Sequence, residues 1–220
     1  MNVVLTDAIK LACPQIKLAV LECEVCNGET PEALSVEIDT EINLLLGLYT
    51  IDQINKRVQI AATRKLYKAL GKDPNRYRPS AEALCRRIVR GIDIYKVSTL
   101  VDVINLVSIR SGISIGGFDM DKIDGDVLEL GVGQSSDVFD AIGRGLLNVE
   151  GLPMYRDNTG GIGTPTSDNE RTKISENTTR LLIVFNGYAG DVGLSEAVNY
   201  ALDLLSRYGG LTEYKLRYLP

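Results

Sequence analysis

The chain has 220 residues, 45% of them hydrophobic and 24% charged, which is enough to bury a core without disulfide or metal staples. It contains no histidine, which excludes a Ser-His-Asp triad, a Cys-His dyad and any histidine metal cage. The formal net charge of −5 hides an asymmetry: residues 56–90 hold eleven Lys or Arg against Asp73 and Glu82, a local +9 that leaves −14 elsewhere.

The opening "MNVVLTDAIKLACPQIK" has no basic start followed by an apolar block, so no secretory signal is expected. No run approaches the roughly 20 apolar residues that cross a bilayer, and a cytoplasmic protein without membrane contact is predicted. Residues 16–26, "IKLAVLECEVC", read as a mostly buried strand. The pair Cys23 and Cys26 at its end lacks the second pair of ligands a zinc site needs. With Cys13 and Cys85 these are expected to be reduced interior thiols, and no metal or cofactor is predicted.

In "TPEALSVEIDTEINLLLG", Thr30 is placed to cap and Pro31 suits the first helical position. Leu34, Ile38, Ile42 and Leu45 recur at helical spacing. A second helix is predicted from Thr50, with Gln53 completing a capping box. Its inner stripe is Ile51, Ile54, Val58, Ala61 and Leu66, and Gly71 ends it. Its cations lie mostly off that stripe. "KDPNRYRPS" is a loop by composition, and "SAEALCRRIVRG" a short helix capped by Ser80, with Arg86, Arg87 and Arg90 toward its negative end. A basic segment of this kind is either a polyanion-binding face or a solvated helix surface. On the first reading Arg64, Lys65, Lys68, Arg76 and Arg78 contact RNA.

"VDVINLVSIRSGISIGGFDMDK", Val101–Lys122, is an apolar helix interrupted by one amide, Asn105. It is predicted to end in a turn holding Gly112, Gly116 and Gly117, with Asp119 and Asp121 anchoring the turn beyond. Such a segment suits the wall of a pocket better than a plain packing element. Strands follow at "DVLELGV", "PMYRDNT" and "RLLIVFNGY". "TGGIGTPTSDNE" lacks the ending of a phosphate loop, and the acids of "DMDKIDGD" are out of register for calcium. "SEAVNYALDLLSRYGG" closes the chain as a helix. Helices first and strands later predict an α+β fold, a mixed sheet with flanking helices. It is read as a single domain over 1–220, with residues 1–70 a strand-plus-helix part and 71–220 the core.

The Val101–Lys122 stretch resembles the editing and tRNA-binding domain of the phenylalanyl-tRNA synthetase beta chain, whose pattern is close to V-D-x-T-N-x-V-x-x-x-x-G-x-P-x-H-A-F-D-x-D-K. Val101, Asp102, Asn105, Val107, Gly112, Phe118, Asp119, Asp121 and Lys122 stand in register. A second block, "DNERTKISENTTRLL", is similar to that family's G-G-E-x-S-x-V-x-x-E-T-x-x-x-L-L, matching Glu170, Thr172, Ile174, Thr178, Leu181 and Leu182. "RPSAEALCRRIVRG" is similar to the phrase that precedes the first block, so the resemblance spans roughly residues 75–185.

The resemblance implies hydrolytic editing of a mischarged aminoacyl-tRNA or related aminoacyl ester, with tRNA and a small amino-acid-like group as partners. It implies no capacity to charge tRNA. Asn105 and Glu170 are then the expected catalytic residues, and Ser108, Gly116, Gly117 and Thr172 the substrate-binding ones. The pattern also departs: its histidine falls on Gly116, its Pro on Ser114, its Ala on Gly117, its Thr on Ile104, and its Gly-Gly pair on Asp168 and Asn169. These departures keep a non-catalytic tRNA- or ligand-binding module open as the alternative. In purely structural terms, Asn105 would cap a turn and Glu170 would pair with Arg171 or another surface cation. The oligomeric state is left open.

Overall fold

A computed structural model describes residues 1–220. Its central sheet is antiparallel, in the order β10 (Glu213–Leu219), β2 (Lys17–Glu24), β9 (Arg180–Gly187), β3 (Ile115–Asp119). The runs "KLAVLECE" and "RLLIVFNG" are apolar almost throughout because these strands are covered on both faces. Alternate side chains of a strand point to opposite faces, so each layer receives half of them. Leu18, Val20, Leu182 and Val184 face one layer, and Ala19, Leu21, Leu181 and Ile183 the other.

The first layer is a second sheet, in the order β1 (Asn2–Leu5), β4 (Val127–Val132), β7 (Pro153–Arg156), β8 (Gly161–Gly163). β1 runs parallel to β4 and the other pairs are antiparallel. Val3, Leu128, Leu130, Tyr155 and Ile162 from this sheet join Phe118 and α1 (Asp7–Ala12) in one core with the central sheet. The second layer is helical. α2 (Glu32–Leu48), α5 (Thr99–Ser111) and α6 (Leu194–Tyr208) press Leu34, Leu106, Val107, Val198 and Leu204 onto the opposite face. Smaller clusters join α3 (Val58–Ala69) and α4 (Ser80–Ile88) to the C-terminal ends of α2 and α5, and surround the short β5 (Asp140–Ala141) and β6 (Gly145–Leu146) hairpin. The architecture is α+β with mixed sheets and flanking helices, as the sequence predicts. Residues 2–24 contribute a strand to each main sheet.

Several local expectations are corrected. The second helix begins at Val58: Gln53 does reach back to the Thr50 N–H at 2.8 Å, but it closes a turn and a 3-10 segment (Ile54–Lys56). Pro31 and Pro79 hold the extended positions before α2 and α4, so Ser80 is the first helical residue. Thr30 instead donates its hydroxyl to Asp102 at 2.5 Å. Gly112 does end α5 in the left-handed conformation, with φ of 75°, as a C-terminal cap requires. Gly116 and Gly117, however, lie within strand β3. A Cβ at 117 would stand 2.5 Å from Ile104 Cδ1, and one at 116 would stand 2.8 Å from the Phe118 ring. Glycine is there because two packed layers close onto the strand. Cys13, Cys23 and Cys85 are buried free thiols, whereas Cys26 is exposed, because it follows the end of β2. No group of side chains suited to hold a metal ion is present.

Candidate functional site

α5 is buried on nearly every side because it carries two apolar stripes. Val103, Leu106 and Val107 face the sheet. Val101, Ile104, Asn105 and Ser108, spaced i, i+3, i+4, i+7, line a cavity of about 400 Å³. That volume falls in the roughly 300–1,000 Å³ range of small-molecule sites. Ser80 and Leu84 of α4, Ile115 and Gly117 of β3, and the loop from Thr164 to Ile174 supply further walls. Val97 and Ile142 also line it. Two segments some sixty residues apart in sequence thus enclose one compartment.

Asn105 makes no side-chain hydrogen bond within the chain, so it caps no turn, and its carboxamide belongs to the cavity lining. The Ser108 hydroxyl donates to the Ile113 carbonyl at 2.5 Å, leaving its oxygen lone pairs free to accept. Gly117 lines the cavity, whereas the side-chain direction of Gly116 points to the other face of the strand, at Phe118. Thr172 is fully buried, its hydroxyl without a partner, and is not part of the lining.

Glu170 is not part of the lining either. Its carboxylate accepts from Lys173 Nζ and, at 3.2 Å, from the Gly143 N–H, contacts that hold it below the usual carboxylate range. Lys173 does line the cavity, so Glu170 stands next to it, one contact removed. Arg171 pairs with Asp157 at 2.7 Å and takes no part in this.

The cavity's acidic group is Asp168. Its Oδ2 accepts from the Gly117 N–H at 3.3 Å, covering a backbone donor on the outer edge of β3. Its Oδ1 lies so close to β8 that a Cβ at Gly163 would stand 2.8 Å from it. Asp168 is half-buried, and it lines the cavity beside Thr164 and Ser167. Burial pushes its pKa up to about 7, opposed only by the Gly117 hydrogen bond. The sequence marks this residue only as a departure, acid where the resembled pattern has glycine. Leu84 and Ile115 carried no signal beyond being apolar, and Ile174 only its place in the second motif block.

The basic segment is resolved very differently. Glu82, fully buried on α4, receives Arg64 at 2.9 Å and Arg86 at 2.7 Å, with Arg78 at 3.8 Å. Arg57 donates to the Ile109 and Arg110 carbonyls at 2.8 and 2.6 Å. Lys72 is buried against the Asn148 and Glu150 carbonyls, and Arg87 donates to Asp93 O. Lys65, Lys68, Arg76 and Arg90 stay exposed, with Arg76 against the Tyr77 ring. Of the five residues expected at RNA, Arg64 and Arg78 are therefore drawn to an internal carboxylate.

The fold and site define an α+β architecture that carries a recess with an aliphatic lining, a free amide and a carboxylate. The chain belongs to the B3/4 domain family, which matches residues 62–210, a domain found in the phenylalanyl-tRNA synthetase beta chain. No curated protein matches it. Among solved structures it is similar to an N-terminal fragment of the phenylalanyl-tRNA synthetase beta-subunit from Pyrococcus horikoshii. The identity is 14% and the TM-score 0.44, over 96% of this chain and 50% of that one, so the chain spans half the length of that fragment. No helix is long and apolar enough to cross a membrane.

Proposed function

We propose that this domain hydrolyses an aminoacyl ester, its substrate being a mischarged aminoacyl-tRNA presented in the cytoplasm. The observation that carries the reading is the unpartnered Asn105 carboxamide on the wall of a recess sized for an amino-acid moiety. An aminoacyl ester is already activated, so a site that fixes the acyl group and a water supplies much of what hydrolysis needs. Water adds to the carbonyl carbon, the bond to the ribose oxygen breaks, and that oxygen leaves with a proton. The products are a free amino acid and an uncharged tRNA. Asn105 donates to the acyl oxygen as negative charge develops there, while the Ser108 oxygen accepts from the attacking water. Glu170 acts from the rim, meeting the substrate once Lys173 releases it, and the exposed Lys65 and Lys68 of α3 meet tRNA phosphates.

The test is ester loss from a panel of mischarged tRNAs. The full chain is expected to deacylate at least one member above the buffer rate. Replacing Asn105 with Ala is expected to cost about 10²-fold in kcat without shifting the melting temperature. No ester loss with any member ends the enzyme reading. The tethering of Glu170 favours a second reading, a module that holds the aminoacyl end without turnover, and tRNA binding without ester loss would select it.

A further inference from the structure

The recess combines an aliphatic lining with a carboxylate that has no cation of its own. Leu84, Val101, Ile104, Ile115 and Ile174 reach it from α4, α5, β3 and the 164–174 loop. The one cationic side chain in the lining, Lys173, is paired with Glu170, so nothing neutralises Asp168. Its sole hydrogen-bond donor is the Gly117 amide, a neutral group at 3.3 Å. Capping one strand-edge amide does not call for a full charge, since a side-chain amide or hydroxyl accepts there equally well. A charge drawn partly out of water and left without a counter-ion is costly, and an ammonium brought by a ligand would relieve it.

We propose that Asp168 receives the α-ammonium of an aminoacyl group whose side chain is apolar, with Leu84, Val101, Ile104, Ile115 and Ile174 enclosing that side chain. This deepens the proposed function by naming its substrate class. A hydroxyl on the side chain would lose water against these residues, and a pocket of this kind disfavours an added hydroxyl by up to about 10²-fold. A free amino acid would bring a carboxylate beside Asp168, where a neutral ester or amide brings none. Recognition would follow pH. Affinity rises as Asp168 ionises near neutrality and falls as the ligand amine deprotonates, at roughly pH 8. The other titratable groups facing Asp168 are Tyr155, whose phenol burial and this carboxylate hold above its usual range, and Lys173 in the cavity lining.

The experiment is calorimetric titration of the full chain with leucinamide, phenylalaninamide, tyrosinamide, leucine and 4-methylpentanamide, which is leucinamide without its amine. Leucinamide is expected to bind at least about 10-fold tighter than 4-methylpentanamide, the factor a desolvated charge-assisted hydrogen bond supplies. Phenylalaninamide should exceed tyrosinamide by about 10-fold or more, and leucine should bind more weakly than its amide. In Asp168→Asn the preference for the amine disappears while the preference against the phenol hydroxyl remains. Equal binding of leucinamide and 4-methylpentanamide by the unaltered chain, or no binding of either at millimolar concentration, overturns the proposal without relying on any variant. Amides resist hydrolysis, so the outcomes separate. Amine-dependent binding with no ester loss would end the hydrolytic reading alone, and ester loss without amine preference would end this one alone.

Discussion

The Val101–Lys122 stretch and the basic segment at residues 56–90 are the two regions whose sequences most invite a functional reading, and the fold treats them in opposite ways. Along α5 the polar residue Asn105 keeps its hydrogen-bonding capacity and lines a shared recess. In the basic segment, Arg64, Arg78 and Arg86 converge on Glu82, and Arg57 and Lys72 are consumed by backbone carbonyls. The lesson concerns satisfaction. A cation near the core finds a carboxylate or carbonyl because burying it unpaired would cost too much. A neutral amide such as Asn105 on the wall of a recess can stay unpaired because the recess keeps it accessible.

The largest effect expected from this contrast lies at Glu82. Glu82→Gln leaves Arg64 and Arg86 without their anion and should cost about 3–5 kcal/mol, read as a lower midpoint in urea. An unchanged midpoint would mean that the arginines are solvated, and the contrast would collapse. Asp168→Asn should act in the opposite direction. The folded-state pKa of about 7 lies above that of an unfolded carboxylate. Folding therefore disfavours the charged form, and the contribution of Asp168 to stability rises as pH falls from about 7 toward 4. The Asn variant should melt higher than wild type at pH 8, by a margin that shrinks toward pH 4. A pH-independent margin would mean that Asp168 is not strained by its charge.

A smaller effect separates the cations that remain outside. Lys65→Ala with Lys68→Ala should leave the melting temperature alone and lower the slope of log affinity for tRNA against log salt by about 2. Arg64→Ala should instead lower the melting temperature. Equal salt slopes for the double variant and wild type would remove α3 from the RNA face. The smallest effect is expected at Glu170, whose ion pair with Lys173 is exposed to solvent. Glu170→Gln should leave the melting temperature in place, so any loss in ester turnover would report on substrate handling and not on folding.

Much of the fold was legible because its signals are local. The doubly apolar runs of β2 and β9, the cap at Gly112 and the stripes of α2 and α6 each follow from periodicity or from the conformational demands of one residue. What escaped depends on partners far away in sequence. β1 is four residues long and becomes a strand by pairing with β4 more than a hundred residues later. β10 lies on the edge beside β2, and its residues are mostly exposed, so no apolar pattern announces it. Gly116 and Gly117 read as a turn because glycine usually marks one, whereas here it admits Phe118 and Ile104 against the backbone.

The site divides in the same way. By itself the sequence determined the chemical repertoire: no imidazole, one amide inside a helix, and two motif blocks placing Asn105 and Glu170 as candidates. Only the tertiary structure decided which of these groups share a space. It brought Asn105 into the cavity lining with Asp168 and set Glu170 next to it on Lys173. The physical reason is that periodicity fixes the face of an element, while solvation, charge compensation and the room beside a glycine are fixed by what packs against that face.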